Sequence, residues 1–284
     1  MSVDYEVEYN NRARVPEHAE IFARWQREAA AYRERMASEE NAELGLAYGT
    51  SPRQKVDLFF PEATGHTPLA LFVHGGYWRS LDAATFSHMS AGLNSRGVAV
   101  AVAGYDLCPQ VTIAQIVNEI RTACLFLWRR FGQRLMVYGH SAGGHLAACM
   151  VATDWKQLDP KAPADLVPAG YSISGVFDLK PLVATSMNAD LHLNEPAAAQ
   201  VSPLWWPVAR GRVFDAVVGA AESSEFLRQS RIVADDWRQR GVETRYEAVP
   251  GANHFTVLDP LSDPNSAMTA RVAALAARCA KVDK

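Results

Sequence analysis

The chain has 284 residues, 49% of them hydrophobic and 21% charged, which is enough to bury a large core, and α/β folds of this length commonly form one domain. A formal net charge of −3 leaves no basic stripe for nucleic acid and no strong acidic field, so a small, neutral or mildly charged substrate is the expected partner. The acidic start Met1-Ser2-Val3-Asp4-Tyr5-Glu6 lacks the basic region of a secretory signal, and no apolar run reaches the ~20 residues that span a bilayer, which predicts a soluble, cytoplasmic protein.

From about Pro16 to Glu43 the chain is rich in Ala, Glu and Arg, and Ile21, Phe22, Trp25, Ala29 and Tyr32 fall near helical spacing, so an N-terminal helical segment (about residues 1–47) precedes the sheet. Lys55 to Phe60 alternates polar and apolar residues as a half-buried strand does, and Leu69 to Val73 is a short apolar run suited to a buried one. Then follow a helix over Asp82 to Arg96, a strand over Val98 to Ala103, a helix over Ile113 to Phe131, a strand over Leu135 to Tyr138 and a helix over Ala142 to Thr153. Strands over Ala169 to Ser174 and Val213 to Val218, a helix over Glu225 to Arg240, a strand over Glu243 to Ala248 and a helix from near Asn265 to Lys281 complete the chain. Apolar strands alternating with helices predict a mainly parallel central sheet covered by helices on both faces. Asp178 to Arg210, with Pro181, Pro196, Pro203 and Pro207, is long for a connection between strands and is read as a small cap or pocket wall. Cys108, Cys124, Cys149 and Cys279 have no Cys-x-x-Cys spacing and are expected to be buried free thiols.

Chemistry concentrates at Gly139-His140-Ser141-Ala142-Gly143. Alone, Gly-x-Ser-x-Gly arises by chance in roughly one chain in ten of this length. Here it follows the apolar strand Leu135-Met136-Val137-Tyr138 and opens an Ala-rich helix, the setting in which a sharp strand-to-helix turn lifts a serine hydroxyl out of a sheet. That makes Ser141 the candidate nucleophile of a serine hydrolase with an α/β-hydrolase fold. Upstream, His74-Gly75-Gly76-Tyr77-Trp78 ends a strand in a glycine-rich loop, so the backbone N–H groups of Gly75 and Gly76, with that of Ala142, form the candidate oxyanion hole. His74 is read as a buttress of this loop.

Hydrolases of this fold carry their triad in the order serine, acid, histidine. His254, in Pro250-Gly251-Ala252-Asn253-His254-Phe255 after the last strand, fits the base; His140 and His145 flank the elbow, His88 sits in a helix, and His18, His66 and His192 come too early. The acid belongs after the strand ending at Val218, where Glu222 stands at the right distance, Asp215 lies inside the strand and Glu225 is the competitor at a helix start. No metal-ligand spacing and no phosphate-cradling Gly-x-x-x-x-Gly-Lys occurs, so the chemistry calls for no cofactor.

These stretches resemble the kynurenine formamidase (arylformamidase) branch of the esterase/lipase α/β hydrolases. His74 to Trp78 is similar to its oxyanion loop, Gly139 to His145 to its elbow, Ser174-Gly175-Val176-Phe177-Asp178-Leu179 with Pro181-Leu182 to the segment after the next strand, and Glu222 to Ser230 to its acid-bearing stretch. The likeness extends from Tyr9-Asn10-Asn11 and Val15-Pro16 to the His254 loop; the acid is Glu where some members have Asp, and Trp205-Trp206 is an added bulk. The resemblance implies that Glu222 is the triad acid and that the substrate is an N-formyl or N-acyl arylamine. A general carboxylesterase and a non-catalytic binding protein on the same fold are the alternatives. Tyr77 and Trp78, with Trp205 and Trp206 from the cap, are the expected walls for an aromatic group; a homodimer is left open.

Overall fold

The structure, a computed structural model, describes residues 3–62, 65 and 67–280; His66 and Lys281 lie outside them. Among the described residues eight strands form one sheet: β1 Ala42–Ala47, β2 Lys55–Phe59, β3 Leu69–Val73, β4 Ala99–Ala103, β5 Met136–His140, β6 Ala169–Ile173, β7 Val213–Gly219 and β8 Glu243–Val249. Their order is β1-β2-β4-β3-β5-β6-β7-β8. β1 and β2 run antiparallel at one edge, and β4 through β8 are parallel.

The helices are α1 Tyr5–Tyr9, α2 Asn11–Arg14, α3 His18–Ser38, α4 Ala91–Asn94, α5 Ile113–Phe131, α6 Ala142–Val151, α7 Trp155–Leu158, α8 Asn188–Leu191, α9 Glu195–Gln200, α10 Ser224–Gln239 and α11 Ala267–Ala280. Strands β3 to β6 are buried along their whole length, as a sheet covered on both sides requires. Side chains alternate between two cores: Leu69, Leu71 and Val73 pack with α5, α6 and α10, while Ala70 and Phe72 pack with α3 and α11. Helix α5 starts with a Thr112–Gln115 capping box and stops at Gly132, whose φ of 66° suits a residue without Cβ. All four cysteines are buried and unpaired.

Several elements differ from the sequence expectation. Ala42–Ala47, read as the end of the first helix, is the edge strand β1; its Ala, Glu and Gly have weak strand preference, and pairing with β2 overrides it. The Asp57 carboxylate accepts from the Gly45 N–H at 2.7 Å at the irregularity in this pairing. Ala83–Ser90 forms a 3₁₀ coil, and only Ala91–Asn94 is α-helical. Two short helices, α1 and α2, precede α3. Among the described residues no helix is long and apolar enough to cross a membrane.

The parallel strands bring the loops after β3, β5, β7 and β8 to one edge of the sheet, and these carry His74 to Trp78, Ser141, Glu222 and His254.

Candidate active site

Ser141 sits between β5 and α6 with φ 54° and ψ −115°, a strained backbone for a residue with a Cβ. Its N–H donates to the Ile173 carbonyl at 2.8 Å, which ties the turn to β6. At Gly143 a Cβ would lie 1.9 Å from the Val73 carbonyl oxygen, so the turn packs against β3 only because that position has no side chain. Ser141 is 2% exposed and lines a cavity also reached by Gly76 and His254. Among the described residues its hydroxyl makes no hydrogen bond.

The glycine-rich loop after β3 packs against this elbow, a Cβ at Gly75 falling 2.9 Å from the His140 carbonyl oxygen. Gly76 has φ 113°, and a Cβ there would stand 2.2 Å from the Ser80 carbonyl oxygen. Tyr77 and Trp78 follow with φ 50° and 55°. Among the described residues the N–H groups of Gly75, Gly76 and Ala142 donate to no protein acceptor, and Gly76 lines the cavity beside Ser141. His74 lies beneath the loop, stacked on Tyr105 with ring centroids 4.3 Å apart, and its Nδ1 donates to the Gly75 carbonyl at 2.6 Å. Burial pushes its pKa down to about 4, so the neutral ring braces the loop.

His254, which lines the same cavity as Ser141, meets Glu222. The Nδ1 of His254 donates to Glu222 Oε2 at 2.6 Å, which leaves Nε2 free to take a proton. Glu222 is fixed in turn: its Oε1 accepts from the Gly219 N–H at 2.7 Å and from the Ser174 hydroxyl. The His254 turn is shaped by Asn253, whose Oδ1 accepts from the N–H groups of Phe255 and Thr256, both at 2.9 Å. His140 Nε2 donates to the His254 carbonyl at 2.7 Å, and burial holds its pKa well below the usual histidine value, so an uncharged ring supports the His254 turn from behind.

The competitors are engaged elsewhere. Glu225 accepts two bonds from Arg228, both at 2.7 Å, and Asp215 binds Arg271. His145 donates to the Val201 carbonyl at 2.7 Å, and burial lowers its pKa to about 4.

Of the four residues expected to wall the pocket, the structure places Tyr77 in the cavity lining and the other three outside it. Trp78 turns into the core, fully buried with its ring edge-on to His145 at 5.0 Å. Trp205 is 53% exposed, and Trp206 lies under the Arg121 guanidinium with its Nε1 donating to the Gln200 carbonyl. The aromatic lining comes from Tyr9, Phe22, Trp25 and Phe255 instead. Phe22 and Trp25 carry a signal in the sequence, the apolar stripe of the first long helix, but helical spacing alone reads as core. Ser174 was visible only within a stretch of family likeness, with no pattern to mark it as the residue that grips Glu222.

The chain matches the BD-FAE family over residues 56–197. It is 34% identical to kynurenine formamidase of Drosophila melanogaster over 227 residues, covering 75% of each chain, and 30% identical to kynurenine formamidase of Salmo salar over 239 residues, covering 80% of this chain and 79% of that one. Among solved structures, a proposed thioesterase from Silicibacter sp. TM1040 superposes with a TM-score of 0.85 at 34% identity, over 95% of this chain and 99% of that one. With relatives this similar along most of both chains, the chain belongs to the kynurenine formamidase family of α/β hydrolases and is a hydrolase.

Proposed function

We propose that this hydrolase cleaves the amide of an N-formyl or short N-acyl arylamine through an acyl-enzyme. Ser141 Oγ attacks the carbonyl carbon while its proton passes to His254 Nε2, and the oxyanion is taken by the N–H groups of Gly75, Gly76 and Ala142. Glu222 holds the imidazole in the tautomer that can accept and stabilises the imidazolium that forms. The imidazolium then protonates the amine nitrogen, the C–N bond breaks, and a water activated by His254 releases the acyl group as its acid and restores Ser141.

The observation that carries this reading is the Glu222–His254 pair at 2.6 Å, with His254 lining the same cavity as Ser141. The aryl half is supported by the walls Tyr9, Tyr77, Phe22, Trp25 and Phe255, and the amide half by relatives named as kynurenine formamidases. Ser141→Ala is expected to lower kcat by on the order of 10⁴ to 10⁶ with the fold intact; full activity in that variant overturns the proposal. Values of kcat/KM on N-formylkynurenine, longer N-acyl anilides and p-nitrophenyl esters test the substrate class. A preference for esters over every arylamide by orders of magnitude replaces the amidase with a carboxylesterase on the same triad.

A further inference from the structure

Residues 5–15 tie together loops that no single strand connects. The Tyr77 hydroxyl, one residue beyond Gly76, donates to the Tyr9 carbonyl at 2.6 Å, and Asn11 Nδ2 donates to the Tyr77 oxygen at 3.4 Å. Tyr9 is itself anchored at its other end: its hydroxyl donates to Glu225 Oε2 at 2.8 Å and accepts from Gln229 Nε2 at 2.9 Å. Glu8 adds a second clasp to the same helix, accepting from the Ser224 hydroxyl at 2.7 Å and the Glu225 N–H at 2.9 Å. Tyr9 is fully buried, and burial raises the pKa of both tyrosines, so both hydroxyls remain donors. Helix α10, which receives these bonds, begins two residues after Glu222.

The oxyanion loop needs such a tether. Gly76, Tyr77 and Trp78 run consecutively at positive φ, a conformation that costs on the order of 1–3 kcal/mol for each residue with a side chain and persists only when its surroundings enforce it. We propose that Tyr9 and Glu225 are positioning residues for catalysis: through Tyr77 they hold the Gly75–Gly76 N–H groups where the oxyanion forms. This rests on the acyl-enzyme reading above. It also gives Glu225 a role beside that of Glu222, as anchor of the loop opposite the triad.

The test uses the full chain with Tyr9→Phe, Glu225→Ala, the double variant and Glu225→Gln. Kinetics on the best substrate of the panel are normalised to sites labelled to completion by a fluorophosphonate. Donors that act only on the oxyanion shape the transition state, so kcat per labelled site is expected to fall roughly tenfold to a hundredfold in Tyr9→Phe and Glu225→Ala, with KM within about twofold. The double variant should be no worse than about twofold below either single one, because both act through one relay. Glu225→Gln keeps an acceptor for the Tyr9 hydroxyl and should stay within about threefold of the parent. A lower melting temperature or fewer labelled sites with kcat per site unchanged overturns the proposal, as do additive losses. Ser141→Ala, which a fluorophosphonate cannot label and whose rate is therefore taken per total folded protein, separates the two readings: activity there removes the acyl-enzyme, whereas an inactive Ser141→Ala beside an unaffected Tyr9→Phe removes only the relay.

Discussion

Two excursions from the α/β rhythm flank the cavity, and they part ways. The segment 178–210 is long, rich in proline and carries Trp205 and Trp206, yet it gives the cavity only Ser186 and Met187. Residues 5–25 look like a plain helical lead-in, yet they supply Tyr9, Phe22 and Trp25. The difference lies in what each packs against. The second half of 178–210 is drawn down onto α6: His145 donates to the Val201 carbonyl, and the Ser202 hydroxyl accepts from Leu179 N–H at 2.8 Å while donating to the Ala198 carbonyl at 2.6 Å. That turns the two tryptophans away from Ser141. Helix α3 instead lies on the opposite core, and its first turns reach the His254 loop, where Phe22 meets the Phe255 ring edge-on at 5.1 Å. An interrupted rhythm announces an excursion; buried polar contacts decide its direction.

The largest effect that sharpens this contrast falls on two glutamates three residues apart, Glu222 bonded to His254 and Glu225 to Tyr9 of the N-terminal segment. Glu222→Gln places an amide against His254 Nδ1 and favours the wrong tautomer, so kcat should fall on the order of 10³ to 10⁴. Glu225→Gln faces Tyr9 and Arg228, and its loss should remain within about threefold. Equal losses at both positions, measured as kcat per labelled site, would break the division between triad and anchor.

The sequence made the proposed sheet-edge site legible because each part has a local signature. Gly143 and Gly76 are glycines for reasons of local fit, one against the β3 carbonyl and one at positive φ, and His254 follows a strand that can be read from its own residues. Glu222 needed the family likeness, since Glu225 also stands near a helix start, and only the bonds from Ser174, Gly219 and His254 distinguish them. The walls were not legible. Which face of α3 meets the core and which end overhangs the cavity depends on contacts across the chain, such as the 235 residues that separate Arg24 from its partner Asp259. Strand β1 escaped for the same reason: it is a strand because β2 offers it an edge.

Phe22→Ala should raise KM about tenfold with little change in kcat, since it removes a wall that ground and transition states touch alike. The smallest expected effect belongs to the 178–210 segment. Trp205 is exposed and contributes nothing to the cavity lining, so Trp205→Ala should leave kcat/KM within about twofold and the melting temperature within about 2 °C. Trp206 holds the Gln200 carbonyl and the Arg121 guanidinium, so Trp206→Ala should cost about 1 kcal/mol of stability and, again, no activity. A tenfold loss of kcat/KM in Trp205→Ala at an unchanged melting temperature would return the 178–210 segment to the pocket and make the substrate large enough to reach it. An unaffected Phe22→Ala beside it would reverse the assignment of the walls altogether.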